Sequence, residues 1–310
     1  MTAILVTGAS GFVGSHLVPA LLDAGHHVIA VVRNDAGAMH VARRLSAPQG
    51  QALDTRRGDV TDPSTLGPAL AGADAVLHLA AIPRDRDGGT SLHRINAEGT
   101  RNVLAAARDA GVRRFVHLGA MGVEDDPALH YASSKAQGIA AVRDSGLDWT
   151  VLSPSVLFGP RDGFFNIIAG LVRMSPGVVP ITGTGTARFQ PLAVDDLARI
   201  AVRVFETETT TGSEYLLGGP RSWTYREIVE EVARAMGKRR LLVPMPVPLI
   251  RLVAGSAERL RLPFPAATDQ LRQLRLDNVG PLDGVRAAFG FDPRPMEGGL
   301  DHLRLPIGEQ

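Results

Sequence analysis

Val6-Thr7-Gly8-Ala9-Ser10-Gly11-Phe12-Val13-Gly14 decides how this chain is read. Three glycines recur at the spacing G-x-x-G-x-x-G behind a short apolar run, Ala3-Ile4-Leu5-Val6. The run reads as a buried strand. The apolar residues that follow, Phe12-Val13, Leu17-Val18 and Leu21-Leu22, repeat at helical spacing. The glycines therefore fall on a strand-to-helix turn, the context in which such a motif carries meaning. A helix N-terminus presents unpaired N–H groups and the positive end of its dipole, which suits a pyrophosphate. In that setting Gly8 is expected to allow the tight turn. Gly11 lets phosphates approach the backbone, and Gly14 lets the helix pack closely on the strand. Thr7 and Ser10 add hydroxyls beside Phe12 and Val13.

Composition narrows the class. The chain has 310 residues, 45% hydrophobic and 21% charged, as expected of a globular protein with a full core. Net charge is +1, from 33 basic and 32 acidic residues, so no basic field is offered to nucleic acid. There is no cysteine, which excludes disulfides, thiolate catalysis and cysteine-ligated metals. Met1-Thr2 leads straight into the first strand, and the chain reads as cytoplasmic. The apolar stretch 241–254 is interrupted by Pro244, Pro246 and Pro248 and carries Arg251, so it does not read as a membrane span.

Strands and helices alternate along the first half. His27 to Val32 is a second strand, with Arg33-Asn34 at its C-terminal end, where a dinucleotide's adenosine ribose is expected. An acid there suits the 2′-hydroxyl of NAD, and an arginine suits a 2′-phosphate. Arg33 favours NADP(H). Asp35, two residues on, leaves NAD(H) open. A third strand near residues 52–56 ends at Gly58-Asp59-Val60, which places Asp59 to meet an adenine amino group. Asp62-Pro63 opens the next helix. Ala75 to His78 is a fourth strand, and the small residues of its exit, Leu79-Ala80-Ala81, let backbone approach a cofactor ribose. His78, inside an apolar strand, reads as a satisfied core residue. A long helix is expected over 91–110, and a fifth strand over 115–118. Such alternation implies a parallel sheet covered on both faces, with ligands at the C-terminal strand ends.

The candidate chemistry follows the fifth strand. Tyr131 and Lys135, four apart on a predicted helix, share one face. The chain has three tyrosines, and its only lysines are Lys135 and Lys238. A phenol ionises near pH 10 (~10), and a neighbouring ammonium is expected to lower that value. A phenol so tuned can exchange a proton with a substrate oxygen while hydride moves at a nicotinamide.

These residues resemble the extended and atypical short-chain dehydrogenases/reductases, the superfamily of NAD(P)-dependent sugar-nucleotide epimerases and dehydratases. The resemblance rests on Thr7 to Gly14, Gly58-Asp59-Val60, His78 to Ala81, Asn96-Ala97-Glu98-Gly99-Thr100, Tyr131 with Lys135, and Leu157-Phe158-Gly159-Pro160. Phe189 to Asp196 and Leu217-Gly218-Gly219-Pro220 extend it over nearly the whole chain. Within the superfamily the chain is most similar to the atypical group related to the nucleotide-binding accessory subunit of respiratory complex I. The resemblance implies an α/β fold: a Rossmann-type doubly wound parallel sheet with a smaller, mostly helical C-terminal substrate lobe. The sheet is expected over 1–160 with parts of 189–220, and the lobe over 161–188 and 221–310. It implies Tyr131 as acid/base, Lys135 as its tuner and ribose ligand, and Pro154, Ser155 and Val156 at the nicotinamide end. It also implies a homodimer through the helices holding Thr100 and Lys135.

One departure stands out. Catalytic relatives place a Ser or Thr shortly after the fifth strand; here the stretch is Gly119-Ala120-Met121-Gly122, and Ala120 holds that position. Ser133 and Ser153 are the candidate substitutes. In the second half, Phe164 to Met174 reads as an apolar helix, Asp195-Asp196 as helix N-caps and Thr224 with Glu227 as a capping box. By resemblance Arg188 and Gln190 line the substrate site. The proline-spaced segment 243–265 reads as short helices over the pocket or a surface for a docking partner. Two functions follow. The first is an NADP(H)-preferring oxidoreductase or epimerase-like enzyme acting on a small alcohol or carbonyl compound. The second is a non-catalytic NAD(P)-binding structural or regulatory protein.

Overall fold

The computed structural model describes residues 1–85, 87–175, 177–245 and 277–310. The chain divides into two compact units. Met1–Pro154 with Val194–Leu216 forms one, and Ser155–Ala193 with Leu217–Gln310 forms the other.

The first unit is built on β1 (Ala3–Thr7), β2 (His27–Val32), β3 (Leu53–Arg57), β4 (Ala75–His78), β5 (Arg114–Leu118) and β6 (Asp148–Pro154). With the strand Ser213–Leu217 they make a seven-stranded sheet, in which β6 follows Ser213–Leu217 and is itself followed by β5, β4, β1, β2 and β3. All pairings among β1 to β6 are parallel. The order reverses direction at β1, so the C-terminal ends of β1, β4 and β5 lie side by side. The connections are α1 (Gly14–Asp23), α2 (Asp35–Ala42), α3 (Ala47–Gln51), α4 (Leu66–Leu70), α5 (Thr90–Leu92), α6 (Gly99–Asp109) and α7 (His130–Arg143).

Alternating strand residues supply two buried faces. Leu5, Ile29, Val76, Phe115 and Val151 pack with Leu66, Val103, Ala107, Ile139 and Val142 from α4, α6 and α7. Ile4, Val6, Val28 and Ala30, on the other parity, are also fully buried, and α1 packs with the helix Val194–Glu206.

Local chemistry explains the element ends. Asn34 caps α2 by accepting from Gly37 N at 2.9 Å, and Asp62 caps a short 3₁₀ turn, Pro63–Thr65. The helix expected over 91–110 is interrupted. A π-helical segment, His93–Glu98, joins α5 to α6 and widens the turn where Asn96 lies. Asp195 and Asp196 are not N-caps as the sequence suggested: the helix begins at Val194, which places both in its first turn, where carboxylates suit the helix dipole. Asp195 meets His16 Nδ1 at 2.8 Å, and Asp196 is buried.

The second unit carries three strand pairs: Leu157–Phe158 with Leu192–Ala193, Val178–Thr182 with Leu241–Met245, and Arg188–Phe189 with Trp223–Thr224. Its helices Phe164–Met174 and Tyr225–Ala235 bury Phe165, Ile168, Ile228 and Val232 in one core with Phe158, Phe189 and Trp223. The capping box is present. Thr224 Oγ1 accepts from Glu227 N at 3.2 Å, and Glu227 Oε2 accepts from Thr224 N at 2.7 Å. Of the segment 243–265, residues 246–265 lie outside the described residues.

Candidate active site

The glycine turn follows directly from β1. Gly8 has φ +71°, a left-handed conformation that disfavours side chains. A Cβ there would lie 2.8 Å from Ala80 N and Leu79 C, so the turn presses against the backbone leaving β4. At Gly14 a Cβ would stand 2.5 Å from the carbonyl oxygens of Gly8 and Ala9. The close packing at Gly14 is therefore against the turn itself rather than against the strand. Gly11 is exposed, and no side chain at the N-cap position, Val13, caps α1. Ser10, Phe12 and Val13 line the turn, half-buried.

At the end of β2, Arg33 and Asn34 are exposed. Asn34 spends its side-chain oxygen on the α2 cap. Asp35 is paired with Arg57 at 2.6 Å, across the β2–β3 register. Among the described residues Arg33 has no ion-pair partner. After β3, Asp59 is half-buried and turns inward on its own loop, accepting from Thr61 N at 2.9 Å and Thr61 Oγ1 at 2.8 Å. The carbonyl of Val60 accepts from Asn102 Nδ2. At the exit of β4, Leu79 N and Ala80 N both donate to Thr7 Oγ1, at 3.2 and 3.3 Å, and Ala81 is exposed.

Tyr131 and Lys135 lie one turn apart in α7, whose interior faces the π-helical segment. A Cβ on Gly138 would sit 2.8 Å from Asn96 O. Lys135 is 3% exposed and its Nζ donates to Leu118 O at 2.5 Å, at the C-terminal end of β5. Burial pulls the Lys135 ammonium down to about 8 and pushes the Tyr131 phenol up to about 12. The expected lowering of the phenol by its lysine is not found; burial alone accounts for the direction. Desolvation disfavours the charged form of both groups.

The hydroxyls proposed to replace the one missing at Ala120 are already engaged. Ser133 Oγ donates to Asp125 in a short bond, and Ser153 Oγ, fully buried, donates to Glu214 Oε1 at 2.6 Å. Pro154 ends β6, its carbonyl accepting from Met121 N. Within the second unit Ser155 Oγ donates to Asn278 O at 2.9 Å and accepts from Gln190 N, while Val156 O accepts from Leu192 N. Gln190 is fully buried. Its amide reaches Gly219 O at 2.8 Å and Gly280 N at 2.9 Å, so it acts as a structural clasp, while Arg188 is exposed. Asn96, Thr100 and Ser134 carry bonds that the sequence did not assign to them. The signal available in the sequence was the Asn96 to Thr100 stretch of the family resemblance, which marked Asn96 and Thr100 without assigning them a role.

Residues 4–218 match the family described as the NAD dependent epimerase/dehydratase family. The chain belongs to that family. It is 28% identical to a 2-alkyl-3-oxoalkanoate reductase of Stenotrophomonas maltophilia (strain K279a), over 97% of this chain and 98% of the relative. It is 25% identical to the mitochondrial NADH dehydrogenase [ubiquinone] 1 alpha subcomplex subunit 9 of Arabidopsis thaliana, over 89% and 68%. Among solved structures it resembles UDP-glucuronic acid 4-epimerase from Bacillus cereus, in complex with UDP-glucuronic acid and NAD. The TM-score is 0.75 at 21% identity, covering 99% of each chain. The relatives similar in sequence thus carry the names of a reductase and of a respiratory-chain subunit, and the solved structure shows the shared fold. Among the described residues, no helix is long and apolar enough to cross a membrane.

Proposed function

We propose that this member of the epimerase/dehydratase family is an NADP(H)-preferring oxidoreductase that interconverts an alcohol and a carbonyl compound. One observation carries the reading: Tyr131 and the buried Lys135 on successive turns of α7, with Lys135 tied to the end of β5, two strands from the glycine turn. A dinucleotide held at the glycine turn would supply or accept hydride at its nicotinamide. The glycine turn, Thr7 to Gly14, holds the pyrophosphate against the start of α1. Arg33 takes the 2′-phosphate, while Asp35 is paired with Arg57. Asp59 and Val60 border the adenine, and Leu79, Ala80 and Ala81 border the ribose.

Tyr131 gives its proton to the substrate oxygen in the reductive direction. A phenol pushed up to about 12 stays protonated at neutral pH, which suits an acid better than a base. Lys135, at about 8, stays mostly cationic and is the ligand for the nicotinamide ribose hydroxyls. The name of the reductase relative supports a ketone as the oxidised substrate.

The alternative, a non-catalytic NAD(P)-binding structural or regulatory protein, is favoured by Ala120 together with the engaged hydroxyls of Ser133 and Ser153. The two are separated by NADPH oxidation against a panel of 3-oxoacyl and simple ketone substrates. The enzyme reading expects turnover in the parent and its loss, with NADPH binding intact, in Tyr131→Phe. No turnover in the parent, or unchanged turnover in Tyr131→Phe, overturns it.

A further inference from the structure

The steps above leave the imidazole of His78 without a role, yet both its nitrogens are committed. His78 is fully buried in β4. Its Nδ1 lies 2.7 Å from Thr7 Oγ1 and its Nε2 3.0 Å from Thr100 Oγ1. The surrounding bonds fix every proton. Thr7 Oγ1 accepts from Leu79 N and Ala80 N, so its own proton goes to His78 Nδ1. The ring proton is therefore on Nε2 and is donated to Thr100 Oγ1, whose own proton goes to Asn96 O at 2.7 Å. Asn96 then extends the chain in two directions. Its side chain accepts from Ile82 N and donates to Ile82 O, and it donates to Ser134 Oγ at 3.0 Å. Ser134 Oγ donates to Tyr131 O at 2.8 Å.

The geometry points to His78 as a positioning residue: its ring couples the glycine turn to the helix that carries Tyr131. The inference rests on the reading of that turn as the dinucleotide site. Thr7 immediately precedes Gly8, and the chain of bonds grips the exit of β4 at both ends, at Leu79 and Ala80 through Thr7 and at Ile82 through Asn96. A ligand that shifts the turn pulls on Thr7, and rigid, neutral, fully satisfied bonds pass the displacement to α7. The chain ends on carbonyl groups, so it holds position and conducts no proton. His117, the register partner of His78 on β5, provides the contrast. Its ring stacks on His78 with centroids 5.3 Å apart, but neither of its nitrogens has a hydrogen-bond partner among the described residues.

The test uses ADP, which carries the adenosine and pyrophosphate and lacks the nicotinamide, so that nothing of the ligand reaches Tyr131. The chain has three tyrosines, and ring-labelled protein gives three carbon signals, of which Tyr131→Phe identifies one. Saturating ADP is expected to shift the Tyr131 signal in the parent and in His117→Leu. In His78→Leu and Thr100→Val, ADP still binds and the shift is lost. Survival of the shift in either folded variant, or its absence in the ADP-saturated parent, overturns the inference. Failure of ADP to bind the parent overturns the dinucleotide reading instead, which a binding titration shows separately. If both variants fail to fold, nitrogen-15 spectra of the parent decide. His78 must be the neutral Nε2–H tautomer, and an Nδ1–H or cationic ring sinks the proposal.

Discussion

Gly138→Ala tests the packing that sets Tyr131 and Lys135 in place. Helix propensity alone favours the substitution by about 1 kcal/mol, because Gly138 lies inside α7. The structure opposes it. The new Cβ would stand 2.8 Å from Asn96 O and 3.4 Å from Thr100 Oγ1. Ordinary contact begins at 3.4 Å, so the helix must retreat by about 0.6 Å from a backbone carbonyl that cannot swing aside. That carbonyl already accepts from Thr100, and the Asn96 side chain holds Ser134 and Ile82. Overpacking of this kind costs about 2–3 kcal/mol, so the net effect is a loss of about 1–2 kcal/mol. Gly170→Ala is the control. It is the same change inside the helix Phe164–Met174, where nothing lies within 4 Å of the new Cβ, and it should stabilise by about 0.5–1 kcal/mol. Each unit holds one tryptophan, Trp149 in the first and Trp223 in the second, so urea unfolding followed in single-tryptophan backgrounds reads them apart. The Trp149 midpoint should fall by about 0.5–1 M in Gly138→Ala. A Gly138→Ala protein as stable as its parent would refute the close approach of α7 to the π-helical segment.

Stability should also follow the buried titrations. Between pH 8 and 10.5 the unfolded chain binds a proton at Lys135 that the folded chain does not, so the first unit gains stability as pH rises through that window. Lys135→Met should remove a rise on the order of 3 kcal/mol. Tyr131 opposes this above pH 10, where the fold retains a proton that the unfolded chain releases. On the acid side, His78 stays neutral in the fold down to about 3, so stability falls as pH drops below 6.5, measurable as a falling urea midpoint of the Trp149 transition. Arg33→Ala should weaken NADPH binding about tenfold with little change for NADH, read by fluorescence titration; equal losses for both would remove Arg33 from the 2′-phosphate. Ala120→Ser restores a hydroxyl after β5 and should raise turnover about tenfold or more if Tyr131 acts alone on the substrate oxygen. Unchanged turnover would mean that the position does not face the substrate.

Much of the fold was legible because its signals are local. The glycine turn, the alternation of strands and helices, and the Asp62-Pro63 start each depend on a few neighbouring residues, and the observed sheet follows from them. The Tyr131/Lys135 spacing was legible for the same reason. Partners distant along the chain were not. Asp35 is engaged by Arg57, Ser153 by Glu214 and Gln190 by Gly280, and no periodicity carries those pairings. The π-helical segment was not legible either: nothing in residues 91–110 signals it, and Gly138, which lies against Asn96 O, is outside that window.

His78 and His117 make the limit concrete. They have the same side chain, adjacent register positions and nearly complete burial, in strands of almost identical apolar character. The sequence singles out His78 as a core residue within a family motif, but it gives no sign of which partners either ring has. What separates them lies elsewhere in the chain. Thr7 and Thr100 reach the two nitrogens of His78, and among the described residues nothing hydrogen-bonds those of His117. An unsatisfied buried imidazole costs about 1–3 kcal/mol, so His117→Leu should be tolerated or stabilising, whereas removing His78 leaves the Thr7 hydroxyl proton without its acceptor and costs stability. Burial holds both rings neutral, but only His78 converts that neutrality into a fixed tautomer, because only there does each nitrogen have an assigned donor or acceptor. A buried polar residue thus carries positional information in proportion to how completely it is satisfied. By that measure, the interior of this Rossmann sheet points from the glycine turn toward α7.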